Sequence, residues 1–163
     1  MNVTEKRALI ARYRDSFDDF ESTLKGLDEA AIDFLPPIAD PWSIRTHVAH
    51  FLDADVHAWT RLRRAVTEPE SSVVLWDEDA WAAKAHYERT DYRRALDLTR
   101  GLRDSLADFL EGIVEEDWSG YAIVHPVNGR MDMVKIVTTY TDHAYFHIPY
   151  LKRNIEAYRS RSK

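Results

Sequence analysis

The chain has 163 residues, 45% of them apolar, no cysteine and a formal net charge of −6. Without cysteine there can be no disulfide, thiolate metal site or cysteine nucleophile, so a metal must be held by His, Asp or Glu and a thiol must come from outside. The net negative charge argues against a general nucleic-acid binder. No apolar run approaches the roughly 18 residues of a membrane-spanning helix, and MNVTEKRALIARYRDS at the start is charged throughout, unlike a signal peptide. The expectation is a soluble cytoplasmic protein, one domain over residues 1–163, helical because it contains only five glycines.

In chain order, Thr4 is placed to cap a first long helix in which Ile10, Tyr13, Phe17, Phe20, Leu24 and Leu27 keep an alternating three/four step. Asp28 caps a short piece, EAAIDFL, that Pro36-Pro37 must end. Ser43 caps the next helix, roughly Ser43 to Val66. There Ile44, Val48, Phe51, Ala58 and Leu62 form one stripe, with His47, His50, Ala54 and Arg61 along its flank. Asp55 falls within the apolar stripe, where a carboxylate is either paired with an inward Arg or His or serves as a catalytic base.

A loop containing Pro69 follows, then a helical stretch from Leu75 to Thr90 capped by Asp77, with Trp76 and Trp81 for packing and His86 exposed among charges. A third long helix, Asp91 to Val114, reads almost as heptads through Tyr92, Ala95, Thr99, Leu102, Leu106, Phe109 and Ile113. The pattern then breaks. Asn128-Gly129 marks a tight turn, YAIV before it is a short extended piece, and His125 lines a pocket mouth or is a plain loop residue. The crossover delivers a last helix from Asp132 to Tyr158, so the fold class is all-α: a four-helix bundle with short extra helices. The end, Leu151 to Lys163, carries five basic residues against one acidic, which suits a helix C-terminus or, alternatively, a polyanion contact.

The last helix holds the chemistry. His143 and His147 lie four apart, so both imidazoles reach one side, on the inward stripe with Ile136, Tyr140 and Leu151. Pro149 removes a helical hydrogen bond beside them, loosening the backbone at a site or bending the helix around the core. Bundles build metal sites from facing helices, and His50 with His143 and His147 would have the ligand count of a catalytic zinc site. Ferritin-like centres need Glu three residues before a ligating His, and none of the seven histidines has one; a zincin needs Glu where Ala144 stands. From spacing alone, three satisfied core histidines are the leading reading.

PWSIRTHVAHFLDAD (Pro41 to Asp55), LWDEDAWA, VHPVNGRM and DHAYFHIPYLKR stand in the order of the DinB/YfiT-like superfamily, and the chain resembles that family over nearly its whole length. The resemblance implies a four-helix bundle, a metal triad of His50, His143 and His147, a divalent metal (zinc or nickel most often) and a homodimer. It implies hydrolysis of a small-molecule substrate or transfer of a low-molecular-weight thiol cosubstrate; a non-catalytic metal- or small-molecule-binding bundle is the alternative. His47, His57 and Asp55 are not carried over. For hydrolysis a carboxylate or imidazole is expected within one water of the metal. Asp53, Asp55 and Asp142 are the acids nearby in sequence, and none stands out as catalytic.

Overall fold

A computed structural model describes residues 1–161. Four long helices carry the fold: α1 (Val3–Ser22), α3 (Ile44–Thr67), α5 (Tyr92–Gly112) and α6 (Met133–Ser160), with α2 (Glu29–Asp33) and α4 (Glu78–Lys84) as short additions. The helix α1 lies between α5 and α6, and α3 closes the ring on the other side of the same two helices. Among the described residues no helix is long and apolar enough to cross a membrane. Ser162 and Lys163, the last residues of the basic tail, lie outside the described residues.

The helices start where side-chain acceptors satisfy free backbone N–H groups. Ser43 Oγ accepts from Thr46 N, Asp28 from Ala31 N, Asp77 from Ala80 N, Asp91 from Arg93 and Arg94 N, and Asp132 from Lys135 N. The first cap differs from the sequence reading. Asn2, not Thr4, begins α1, because Asn2 Oδ1 accepts from Glu5 N at 2.9 Å while Glu5 Oε2 accepts from Asn2 N at 2.8 Å, a reciprocal capping box.

Two further expectations need correction. The helix expected from Leu75 to Thr90 is only α4, followed by a 3₁₀ turn at Tyr87–Arg89; His86 between them is exposed and takes φ 55°, which ends helical geometry there. The crossover before α6 is a small sheet rather than one extended piece. Strand β2 (Ala122–His125) pairs antiparallel with β3 (Gly129–Asp132) across the Asn128-Gly129 turn, and the two-residue β1 (Ser71–Ser72) adds in parallel. Gly129 sits at φ 66°, which glycine adopts without Cβ strain. The Nδ1 of His125 accepts from Val127 N (3.3 Å) and Asn128 N (3.2 Å), so this histidine holds the turn.

The core has two apolar clusters. One gathers Ile10, Tyr13, Leu62, Leu106 and Ile136, the other Phe17, Phe20, Phe51, Leu96 and Leu151. The heptad expected in α5 is shifted: Leu96, Arg103, Ala107 and Leu110 are buried while Leu102, Phe109 and Ile113 are half-buried, because α5 packs on both α1 and α3 and needs a wider face. Arg103 joins the clusters, its guanidinium 4.5 Å from the Tyr13 ring centroid and 4.8 Å from that of Phe51. The helix α6 is unbroken across Pro149. Leu151 and Asn154 beyond it are fully buried, and Asn154 Nδ2 donates to Trp42 O at 2.7 Å, contacts that offset the missing backbone bond.

Candidate metal centre

Facing turns of α3 and α6 bring His50, His143 and His147 together. His50 Nε2 is 3.1 Å and His147 Nε2 2.9 Å from His143 Nε2, and one nitrogen from each ring falls within 4.8 Å of the others. Four-residue spacing puts His143 and His147 on one side of α6, with ring centroids 4.5 Å apart and the rings edge-to-face at 88°. Phe51 stacks on His143 at 5.2 Å and Trp76 on His50 at 5.2 Å, fixing both rings.

These nitrogens are lone-pair donors at neutral pH. Burial, above all, holds His50 down to about 4 and His143 down to about 3, and burial followed by the neighbouring His143 lowers His147 as well. A neutral imidazole has one N–H, so three nitrogens this close cannot satisfy one another, whereas one cation would accept all three lone pairs. Nitrogens around a tetrahedral zinc, at roughly 2.05 Å each, stand about 3.3 Å apart, close to the spacings seen. The residues present fit a divalent transition metal with a position left open.

The triad lies on the wall of a cavity of about 630 Å³ between α3, the segment around α4, and α6. Trp42, Trp76, Phe146 and Tyr150 give it aromatic sides, and the α3 flank of His47, His50, Ala54 and Arg61 is one wall. Arg61 Nη1 donates to the Tyr140 hydroxyl at 2.9 Å and Nη2 to Val74 O at 3.2 Å, and no carboxylate among the described residues lies within ion-pairing distance of it.

The three acids near the triad in sequence are engaged elsewhere. Asp53 accepts from the Tyr87 hydroxyl, Asp55 from Arg103, and Asp142, although at the cavity, from Arg12 Nη2 at 2.9 Å. Instead, Glu78 and Asp79 from the first turn of α4 reach the cavity with no hydrogen-bond or ion-pair partner among the described residues. The negative charge of Asp79 bears on His50, opposing the effect of burial there. Sequence reading missed both because acids in a first helical turn ordinarily just complement the macrodipole. His57 lies outside the triad, its ring 4.8 Å from Trp76 and 5.6 Å from Trp81.

An all-α bundle of this topology with an inward cluster of three histidines defines a class, a four-helix scaffold with a histidine triad of metal-ligand spacing. The DinB superfamily model matches residues 12–151, and the chain belongs to that superfamily. The solved structure of YfiT from Bacillus subtilis, described as "a probable metal-dependent hydrolase with an unusual four-helix bundle topology", superposes with a TM-score of 0.83 at 16% identity, over 99% of this chain and 90% of that one, which establishes the shared fold. A protein of Oceanobacillus iheyensis named "Putative metal-dependent hydrolase" is 22% identical over 68% of this chain and 63% of its own length, so the match spans less than two thirds of that relative. A Bacillus cereus protein of the same name is 23% identical over 87% of this chain and 80% of its own.

Proposed function

We propose that the protein is a metal-dependent hydrolase of a small molecule, working in the cavity beside His50, His143 and His147. The observation that carries this reading is the convergence of three neutral imidazole nitrogens on a cavity that also holds two carboxylates with no partner among the described residues. The three histidines would hold a divalent ion, zinc or nickel. Such an ion supplies Lewis acidity, generating a nucleophile from water or a thiol near neutral pH.

The protein's own residues do the rest. Asp79, exposed at the cavity edge and acting electrostatically on His50, takes the proton released by the nucleophile. Among the described residues Arg61 bonds to a neutral hydroxyl and a carbonyl, so its guanidinium remains available to an anionic group of the substrate. Trp42, Trp76 and Phe146 pack against the apolar body of the substrate.

Transfer of a low-molecular-weight thiol is the second reading. The cavity volume of about 630 Å³ lies within the roughly 300 to 1,000 Å³ of small-molecule sites and leaves room for a thiol beside its electrophile. The proposal includes a homodimer, as the family resemblance implies, and a cytoplasmic location, as expected from the charged N-terminal stretch and the lack of a long apolar run.

Turnover of a panel of esters, amides and thiol–electrophile pairs by metal-loaded protein tests both readings. Asp79→Asn is expected to lower kcat by roughly 10²- to 10⁴-fold while leaving metal content unchanged. Thiol consumption matched to product identifies transfer, and metal binding without turnover of any pair contradicts the enzyme reading.

A further inference from the structure

We infer that His47 is a positioning residue that fixes the ring orientation and proton placement of His147 and so tightens metal binding; the inference rests on reading the triad as a metal site. His47 lies one helical turn before His50 on α3, only 5% exposed, and its Nδ1 is 3.1 Å from the Nδ1 of His147. The rings are 5.2 Å apart at 69°.

The placement of hydrogens follows from counting. If His147 gives its Nε2 lone pair to the centre it shares with His143 and His50, its single hydrogen must be on Nδ1. Among the described residues the acceptor in reach of that hydrogen is His47 Nδ1, so His47 must carry its own hydrogen on Nε2, a buried nitrogen with no partner among the described residues. Ligating histidines are ordinarily held through their second nitrogen by such a partner. Here the distribution is uneven: the Nδ1 atoms of His50 and His143 are buried with no partner among the described residues, so His147 is the one ligand anchored in this way.

His47 is itself held in place. Tyr150 stacks on it at 5.9 Å, Trp42 lies 5.4 Å away, and the Trp42 carbonyl is tied to α6 by the fully buried Asn154. His47 does not serve as a fourth member of the cluster, because its nearest nitrogen meets His147 on the ring's Nδ1 side, whereas the triad meets at Nε2.

The test is Zn²⁺ affinity by chelator competition on the whole chain, comparing wild type with His47→Phe and His47→Gln. Phenylalanine keeps the ring packing but cannot accept a hydrogen bond; glutamine keeps an acceptor oxygen. His47→Phe is expected to bind 10- to 100-fold more weakly, and His47→Gln to stay within a few-fold of wild type, with both metal-free variants folded by circular dichroism. In the Zn²⁺-loaded wild type, long-range ¹H–¹⁵N correlation spectra should show His47 protonated at Nε2 and His147 at Nδ1. Wild-type affinity in His47→Phe, or His47 protonated at Nδ1, overturns the inference while leaving the metal reading standing. No Zn²⁺ binding by the wild type overturns both.

Discussion

Replacing Arg103 by methionine is expected to cost about 3–5 kcal/mol of folding stability, because it strands a carboxylate in the core. Arg103 and Asp55 are 2% and 0% exposed, and Nε and Nη2 of the guanidinium donate to the two carboxylate oxygens at 2.6 and 3.2 Å. The remaining donors go to Tyr13 O, Ser16 Oγ and Tyr140 O, so the arginine ties α5 to α1, α3 and α6 at once. Burial pushes the Asp55 carboxyl up and the guanidinium pulls against it; without the arginine only burial remains. A domain of this size has about 5–15 kcal/mol in total, so the single variant approaches unfolding under mild denaturant. The double variant Arg103→Met, Asp55→Leu should recover most of the loss, since a buried pair exchanged for apolar side chains is often neutral. Urea midpoints of the wild type and the two variants check this; a single variant within about 1 kcal/mol of wild type would mean the pair behaves like an exposed one.

The second large effect is acid sensitivity of the metal-free chain. Burial, the first cause in each case, holds His47 and His143 down to about 3 and His50 down to about 4, whereas an unfolded histidine titrates near 6.5. Above pH 6.5 both states are neutral and stability is fully present. Below it the unfolded chain takes up protons that the folded chain refuses, so stability falls from pH 6.5 down toward 4. Between pH 7 and 5 each such histidine costs about 2 kcal/mol, several kcal/mol for the group. Denaturant midpoints measured with chelator at pH 7 and pH 5 should differ accordingly, and the difference should shrink in His143→Phe. Equal midpoints at the two pH values would show that these rings are solvated.

Much of this was readable from the residues. The three/four periodicity located the long helices, and the flank of α3 carrying His47, His50, Ala54 and Arg61 proved to be a cavity wall. The inward positions of His143 and His147, and the pairing of Asp55 with an inward arginine, follow from the same geometry. Arg103 itself was passed over because the heptad was drawn through Leu102 and Leu106, although Arg103 sits four residues after the buried Thr99 and on the same face. The strands were mostly illegible: GRMD has none of the β-branched residues that mark a strand, and two residues of β1 carry no period at all. Glu78 and Asp79 reach the cavity only through the path of the segment ahead of α4, which tertiary packing sets and local sequence does not encode.

The central claim is that His50, His143 and His147 hold one metal ion, and elemental analysis of protein purified without an affinity tag or added metal tests it most directly. About one equivalent of a transition metal is the predicted content for a three-histidine site, lost in His50→Ala and in His147→Ala while both variants keep their helical circular dichroism. No metal in the wild type, together with added Zn²⁺ or Ni²⁺ bound no more tightly than by the variants, would contradict the account and leave the histidines as packing residues of the bundle.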